Sequence, residues 1–251
     1  MKTRVIPCLL LKDGGLVKTV KFRNASYIGD PINAVRLFSG KEVDEIALLD
    51  IGATASGAGP NFDAIAEIVA EAFMPLAYGG GITSISEAGR ILELGVEKIV
   101  LNSVLASDPA IIDGLAARFG SQSIVASIDV ADGLFRSRQL KVQNGRQSLR
   151  RDPVDFAREM ERRGAGELLL TSISRDGTGM GYDCDLISSV AGAVGIPLIA
   201  SGGAGQLEHF TQAVAAGASA VAAGSLFVYH GPHRAVLVSY PDRQRLESRL
   251  P

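Results

Sequence analysis

The chain of 251 residues has no tryptophan, two cysteines and three histidines, and each scarcity removes a class of chemistry. Cys8 and Cys184 stand too far apart in sequence for a Cys-x-x-Cys redox pair or a metal-ligand spacing. His209, His230 and His233 offer only a weak His-x-x-His, and His209 in Leu-Glu-His-Phe reads as a packed helix residue. No metal and no other cofactor is expected. A hydrolase with a cysteine nucleophile would need that cysteine on a strained elbow with a histidine partner. Cys8 lies within an apolar strand and Cys184 at a helix start, so no such site is expected. Excess charge of one sign is also lacking. The 25 Lys and Arg against 27 Asp and Glu leave a net charge of -2, and no basic stripe carries interleaved aromatics, so nucleic-acid binding is not expected. The N-terminus has no signal-peptide apolar core, and a reduced, cytoplasmic protein is expected. Positions 209–233 carry no Lys, Arg, Asp or Glu, but repeated glycines and a switch from helical to strand pattern argue for a helix end plus a buried strand. No membrane span is expected.

What is present is alternation. Apolar runs of strand length occupy 4–11, 45–50, 75–79, 98–102, 123–129, 167–172, 197–201 and 219–224. Amphipathic helical patterns lie near 31–39, 61–73, 84–94, 107–118, 153–163, 183–193, 206–216 and 233–240. Repeated strand-helix units in a chain long enough for one large core predict an α/β fold, a single-domain (β/α)8 TIM barrel. An open doubly wound sheet would need a Gly-x-Gly-x-x-Gly turn after its first strand, and Leu-Lys-Asp-Gly-Gly-Leu is not one. A shift of 122 positions carries Asp30-Pro31 onto Asp152-Pro153, Gly80-Gly81 onto Gly202-Gly203 and Asn102-Ser103 onto Gly224-Ser225. The chain therefore reads as two half-barrels, about 1–122 and 123–251.

The paired glycines carry the first chemical inference. A Gly-Gly turn at the C-terminal end of a strand bares backbone N-H groups, and a following helix N-terminus adds positive potential. Gly202, Gly203, Gly224 and Ser225 form one expected phosphate cradle; Gly80, Gly81, Asn102 and Ser103 form its repeat-related partner. Two cradles across one mouth imply a long ligand phosphorylated at both ends.

The segments GDP, LLDI, YGGGI, LNS, SIDV, RGAGELLLTSISRDGTGMGYD and IASGGAG resemble the cyclase subunit of imidazole glycerol phosphate synthase over nearly the whole chain. This resemblance implies a (β/α)8 barrel of histidine biosynthesis that receives ammonia from a separate glutaminase subunit. Its implied substrate is a bis-phosphorylated ribulosyl aminoimidazole carboxamide nucleotide, converted to imidazole glycerol phosphate and an aminoimidazole ribotide. The family uses two carboxylates as general acid and base. Asp129 matches one, whereas Leu10 stands where the other belongs. A repeat offset of 119 independently pairs Leu10 with Asp129. Asp13 matches a different loop position. Lys18, Asp50, Ser172, Asp176 and Gly177 keep the family's residue types, while Thr19, Gly52 and Ala77 depart from them. Asp50 reads equally as a strand-end cap, and Asp176 also suits the first position of an Asp-Gly turn.

Arg4, Glu45, Lys98 and Glu167 each open an apolar strand, with alternating signs. The resemblance makes these four the gate through which ammonia enters the barrel bottom, and Glu97 keeps an acidic group where the glutaminase docks. Three functions remain open: an authentic cyclase; a divergent second-copy paralogue that uses its ammonia in amidination of a surface-polysaccharide sugar; and a non-enzymatic barrel that docks and activates a glutaminase.

Overall fold

In the computed structural model, which describes residues 2–133 and 137–250, eight parallel strands close on themselves. They are β1 (Arg4–Lys12), β4 (Ile46–Asp50), β5 (Leu76–Gly79), β6 (Lys98–Leu101), β7 (Ile124–Asp132), β10 (Glu167–Ser172), β11 (Leu198–Ser201) and β12 (Ala220–Ala223). Each pairs with the next, and β12 returns to β1. The predicted barrel and all eight strand positions are observed.

Two antiparallel hairpins extend this barrel at its C-terminal end. Strands β2 (Gly15–Val20) and β3 (Arg23–Gly29) continue from β1, while β8 (Arg138–Val142) and β9 (Gln147–Leu149) continue from β7. The sequence reading missed both, because strand-helix alternation carries no mark for an extra hairpin inside one loop.

The helices form where local signals place them. Asp30 and Asp152 each cap a helix whose first residue is proline, α1 (Pro31–Ser39) and α6 (Pro153–Arg163). Such a cap typically contributes about 1 kcal/mol, and proline at that position gives up no helical hydrogen bond. Helix α4 (Ile85–Glu93) begins in a capping box in which Ser84 and Glu87 satisfy each other's amides. Helices α3 (Phe62–Val69), α5 (Ile111–Phe119), α7 (Cys184–Ala191) and α8 (Leu207–Ala215) complete the ring as expected, with shorter ends. The expected eighth helix at 233–240 is a correction. After the one-turn α9 (Ser225–Val228), the chain turns through a short hairpin, β13 (Tyr229–His230) against β14 (Ala235–Val236), and then runs extended: the Leu237 and Ser239 amides bond to the Val228 and Phe227 carbonyls, and helix resumes only in α10 (Arg243–Glu247). β-Branched Val236 and Val238, and Pro241 which disfavours helix at Tyr240, favour the extended path.

Strand parity divides the apolar residues into two cores. The larger, with Phe38, Leu48, Tyr78, Phe156 and Phe210, fills the space between barrel and helices. A smaller cluster of Ile6, Cys8, Ala47, Ala77, Val100, Val125, Leu169, Ile199, Ala220 and Ala222 fills the barrel itself, with Leu10 and Leu49 packed on it. The repeat recurs as contacts. A Cβ on Gly80 would lie 2.5 Å from the Asp50 carbonyl, and one on Gly202 would lie 2.6 Å from that of Ser172. Gly81 abuts Gly59 as Gly203 abuts Gly181. Each of these pairs stands 122 positions from its counterpart.

Candidate active site

The C-terminal ends of the strands surround a cavity of about 340 Å³. Asp129, on β7, is its most buried carboxylate. Asn102 Nδ2 donates to Asp129 Oδ2 at 3.1 Å and to the Ser127 carbonyl at 3.1 Å, and the Thr171 hydroxyl also bonds the carboxyl. Burial dominates its titration. It pushes the carboxyl up to about 7, helped by the negative charge of Asp176 and opposed by the Thr171 and Asn102 bonds. Thr171 was not among the expected site residues. Its register opposite Asp129 on the adjoining strand is the signal that would have found it.

Leu10 has the inward parity of β1 and lines the same cavity, paired in register with Leu49 of β4. With Cys8 and Val100 these side chains make one wall apolar, while Ser127, Asp129, Thr171 and Ser201 make the other polar. Asp13 is exposed in the β1–β2 turn and takes no part in the lining. Strand β1 presents no carboxylate to the cavity.

Asp50 is half-buried at the rim, where Oδ1 accepts the amides of Gly52 at 2.8 Å and Ala53 at 3.0 Å. It caps the one-turn helix α2 (Ala53–Ser56), and burial chiefly raises its pKa. Asp176, in the loop after β10, accepts from the Thr19 hydroxyl at 3.0 Å, and its carbonyl takes the Lys21 amide at 3.0 Å. It ties the β2–β3 hairpin over the mouth, and burial raises its pKa as well. Gly177 has φ +68, and a Cβ there would meet the Thr19 carbonyl at 2.4 Å. Ser172 is buried behind this loop, where its carbonyl accepts the Arg175 and Asp176 amides.

The two expected cradles differ in detail. Gly202, Gly203, Gly224 and Ser225 border a small pocket that also contains Lys18, Asp176 and Gly177. The Lys18 ammonium is buried there, donates to the Cys8 carbonyl, and has its pKa lowered by burial. In the other half, Gly80, Gly81, Asn102 and Ser103 line the main cavity. Ser103 Oγ accepts the Gln143 amide at 3.3 Å, and the Asn102 amide group is turned onto Asp129. The amides preceding α4 are occupied by Glu87, which accepts from Thr83 and Ser84. The anion-attracting helix N-terminus expected behind Gly80-Gly81 is therefore already capped by a carboxylate. Across the repeat, His209 Nδ1 accepts the Gly205 amide at 3.1 Å.

At the barrel's other end the four charged residues meet in one ring. Arg4 bonds both Glu45 and Glu167, and Lys98 Nζ bridges the same two carboxylates at 2.8 and 2.9 Å. The ring is formally neutral, as a buried charge cluster must be to offset desolvation. Above it lies the alanine-rich interior, and above that the cavity with Asp129.

A family model described as "Histidine biosynthesis protein" matches residues 4–233. The chain belongs to this histidine biosynthesis protein family. It is 49% identical over 248 residues, 98% of this chain and 99% of the relative, to a Pseudomonas aeruginosa protein provisionally named imidazole glycerol phosphate synthase subunit hisF2. It is 43% identical over 228 residues, 90% of each chain, to imidazole glycerol phosphate synthase subunit HisF of Hyphomonas neptunium. The HisF subunit of Pyrobaculum aerophilum is 41% identical over 250 residues, 98% of each. Within the family, the chain fits a second copy of the cyclase-type subunit. No helix among the described residues is long and apolar enough to cross a membrane.

Proposed function

We propose that the chain is the cyclase-type subunit of a glutamine amidotransferase of the imidazole glycerol phosphate synthase kind. A separate glutaminase docks on the face bearing Arg4, Glu45, Lys98 and Glu167 and releases ammonia there. The substrate is a bis-phosphorylated ribulosyl aminoimidazole carboxamide nucleotide, held at its ends by the Gly202-Gly203-Gly224-Ser225 cradle with Lys18 and by the Gly80-Gly81-Ser103 cradle. The observation that carries this reading is the alignment of three features on one axis: a closed ion ring, an apolar interior and a buried carboxyl at the far end. Neutral ammonia crosses apolar surface without the desolvation cost of ammonium. Ammonia adding to a ligand carbonyl needs one proton delivered to oxygen and one removed from nitrogen. A carboxyl poised near neutrality serves in either direction. Asp176 and Lys18 close the mouth around the ligand, and Asp50 fixes the rim.

The test is Lys98→Glu, which leaves three acids and one base in the ring. Glutamine-dependent turnover with the partner glutaminase is expected to fall more than turnover supplied with ammonium salt. Equal loss with both nitrogen sources refutes the gate.

Leu10 supports a second reading, a paralogue whose ammonia serves another acceptor, such as a sugar amidinated for a surface polysaccharide. Two carboxylates across the mouth would exchange protons on both sides of a ring-forming centre, whereas one carboxyl facing Leu10 and Leu49 can do so on one side only. Loss of one acid-base group typically costs about 10² to 10⁴ in rate. The unmodified protein is then expected not to rescue a bacterium lacking its histidine-pathway cyclase. Robust rescue at ordinary expression excludes this second reading.

A further inference from the structure

Strands β1 and β4 pair in register only from Cys8 opposite Ala47 upward. Below that point, at the level of the ion ring, the seam between them is open, and side chains occupy the main-chain groups that a ladder would have paired. The Val5 amide donates to Asp44 Oδ2 at 2.9 Å, and the Val5 carbonyl accepts from the Tyr240 hydroxyl at 2.9 Å. Val5 follows Arg4, and Asp44 precedes Glu45. Val5 thus ties Asp44 through its amide and Tyr240 through its carbonyl, beside half of the ring.

Tyr240 reaches this seam because the eighth helix is replaced by an extended strap. The strap is fixed by the amides of Leu237 and Ser239, and by the Tyr240 ring against Phe227 at a centroid distance of 5.2 Å. A helix at 233–240 would have placed these side chains on a 3.6-residue period instead. Within the ring, Glu45 Oε1 is buried and has no hydrogen-bond partner among the described residues. Only Oε2 of Glu45 therefore holds both cations, and its placement depends on the backbone behind it.

We propose that Tyr240 is a positioning residue of the gate: by holding the carbonyl of Val5, whose amide binds Asp44, it fixes the Arg4 backbone against that of Glu45 and holds the ring closed at the β1–β4 seam. This rests on the gate reading above for its functional meaning, but the geometry is testable without turnover. Arg4 places one amino group on Glu45 and the other on Glu167, so rotation about its Nε–Cζ bond must break both ion pairs. In nitrogen-15 NMR of the full chain, the parent is expected to show resolved Arg4 Nη resonances.

Tyr240→Phe keeps the aromatic packing and removes the hydrogen bond to Val5. Arg4 rotation should accelerate about tenfold, the equivalent of one ordinary hydrogen bond, with exchange-broadened or merged Nη signals. Tyr182→Phe is the control. Its hydroxyl donates to the Ala222 carbonyl at 2.9 Å within the same aromatic run, but away from the ring. A comparable loss of thermal stability with unchanged Arg4 signals is expected there. Asp44→Ala, which removes the other seam bond, must act on Arg4 in the same direction as Tyr240→Phe, and it supplies the test if that variant does not fold. Unchanged Arg4 signals in the folded Tyr240 variant, equal changes in Tyr240→Phe and Tyr182→Phe, or averaged signals in the parent overturn the proposal. Failure of the Lys98→Glu nitrogen-source test with a positive Arg4 result would remove the ammonia gate and leave the seam standing.

Discussion

Asp129→Asn is expected to make the protein more stable and less active, and to do so with a defined pH dependence. Burial raises the Asp129 carboxyl from the ordinary 3.8 to about 7. In the folded state the group therefore holds its proton up to about pH 7, whereas the unfolded chain releases it near 4. Between those values the native state binds more protons, so this group's contribution to stability falls as pH rises through the window. Above it the ionised carboxylate is a fixed penalty of about 4 kcal/mol, since one pKa unit corresponds to about 1.4 kcal/mol. The asparagine oxygen can still accept from Asn102 and Thr171, and the variant carries no charge to desolvate. The gain over the parent should therefore grow by about 2 to 3 kcal/mol between pH 5 and pH 8.5. Urea unfolding of both proteins at the two pH values measures it, and the shared contribution of Asp50 cancels in the difference. A gain that is the same at both pH values would refute the burial argument and with it the assignment of Asp129 as the group poised near neutrality.

The cradles are best probed at serine rather than glycine. A Cβ on Gly203 would lie 2.1 Å from the Gly181 carbonyl, so any side chain there distorts the loop. Ser225→Asp and Ser103→Asp instead place an anion beside each cradle, and calorimetry should show bis-phosphorylated ligand binding weakened at least about tenfold by either. Unchanged binding in both refutes the two-phosphate reading. Leu10→Asp adds a second acid facing Asp129, and like-charge repulsion is expected to raise the apparent pKa of the pair. Carbon-13 NMR of the carboxyl groups should find Asp129 titrating above its position in the parent, and an unshifted value would show that the two do not share one site.

The barrel was legible because its evidence is local. Alternating parity, the Asp-Pro helix starts at 30–31 and 152–153 and the paired glycines act within a few residues of themselves, and the repeat doubles each signal. The charged ring was legible for a related reason: four strands each carry a charge immediately before an apolar run, and closure of the barrel brings them together. The absence of a carboxylate on β1 was likewise fixed at Leu10.

Tertiary structure decided how the remaining groups are used. Asn102 lines the cavity beside the expected cradle, and the packing of β6 beside β7 turns its side-chain amide onto Asp129. Asp50 became a helix cap because Gly52 and Ala53 present their amides to it. Glu87 closed the helix N-terminus that the glycine pattern had left open. The 233–240 segment has apolar residues at spacings that suit either period, and the bonds to Phe227 and Val228 selected the extended one. That choice carried Tyr240 to the seam beside the ring, 235 positions from Val5 in sequence. Short-range patterns specify elements, but hydrogen-bond partners and burial are set only when distant segments meet, because desolvation belongs to the assembled environment rather than to the residue.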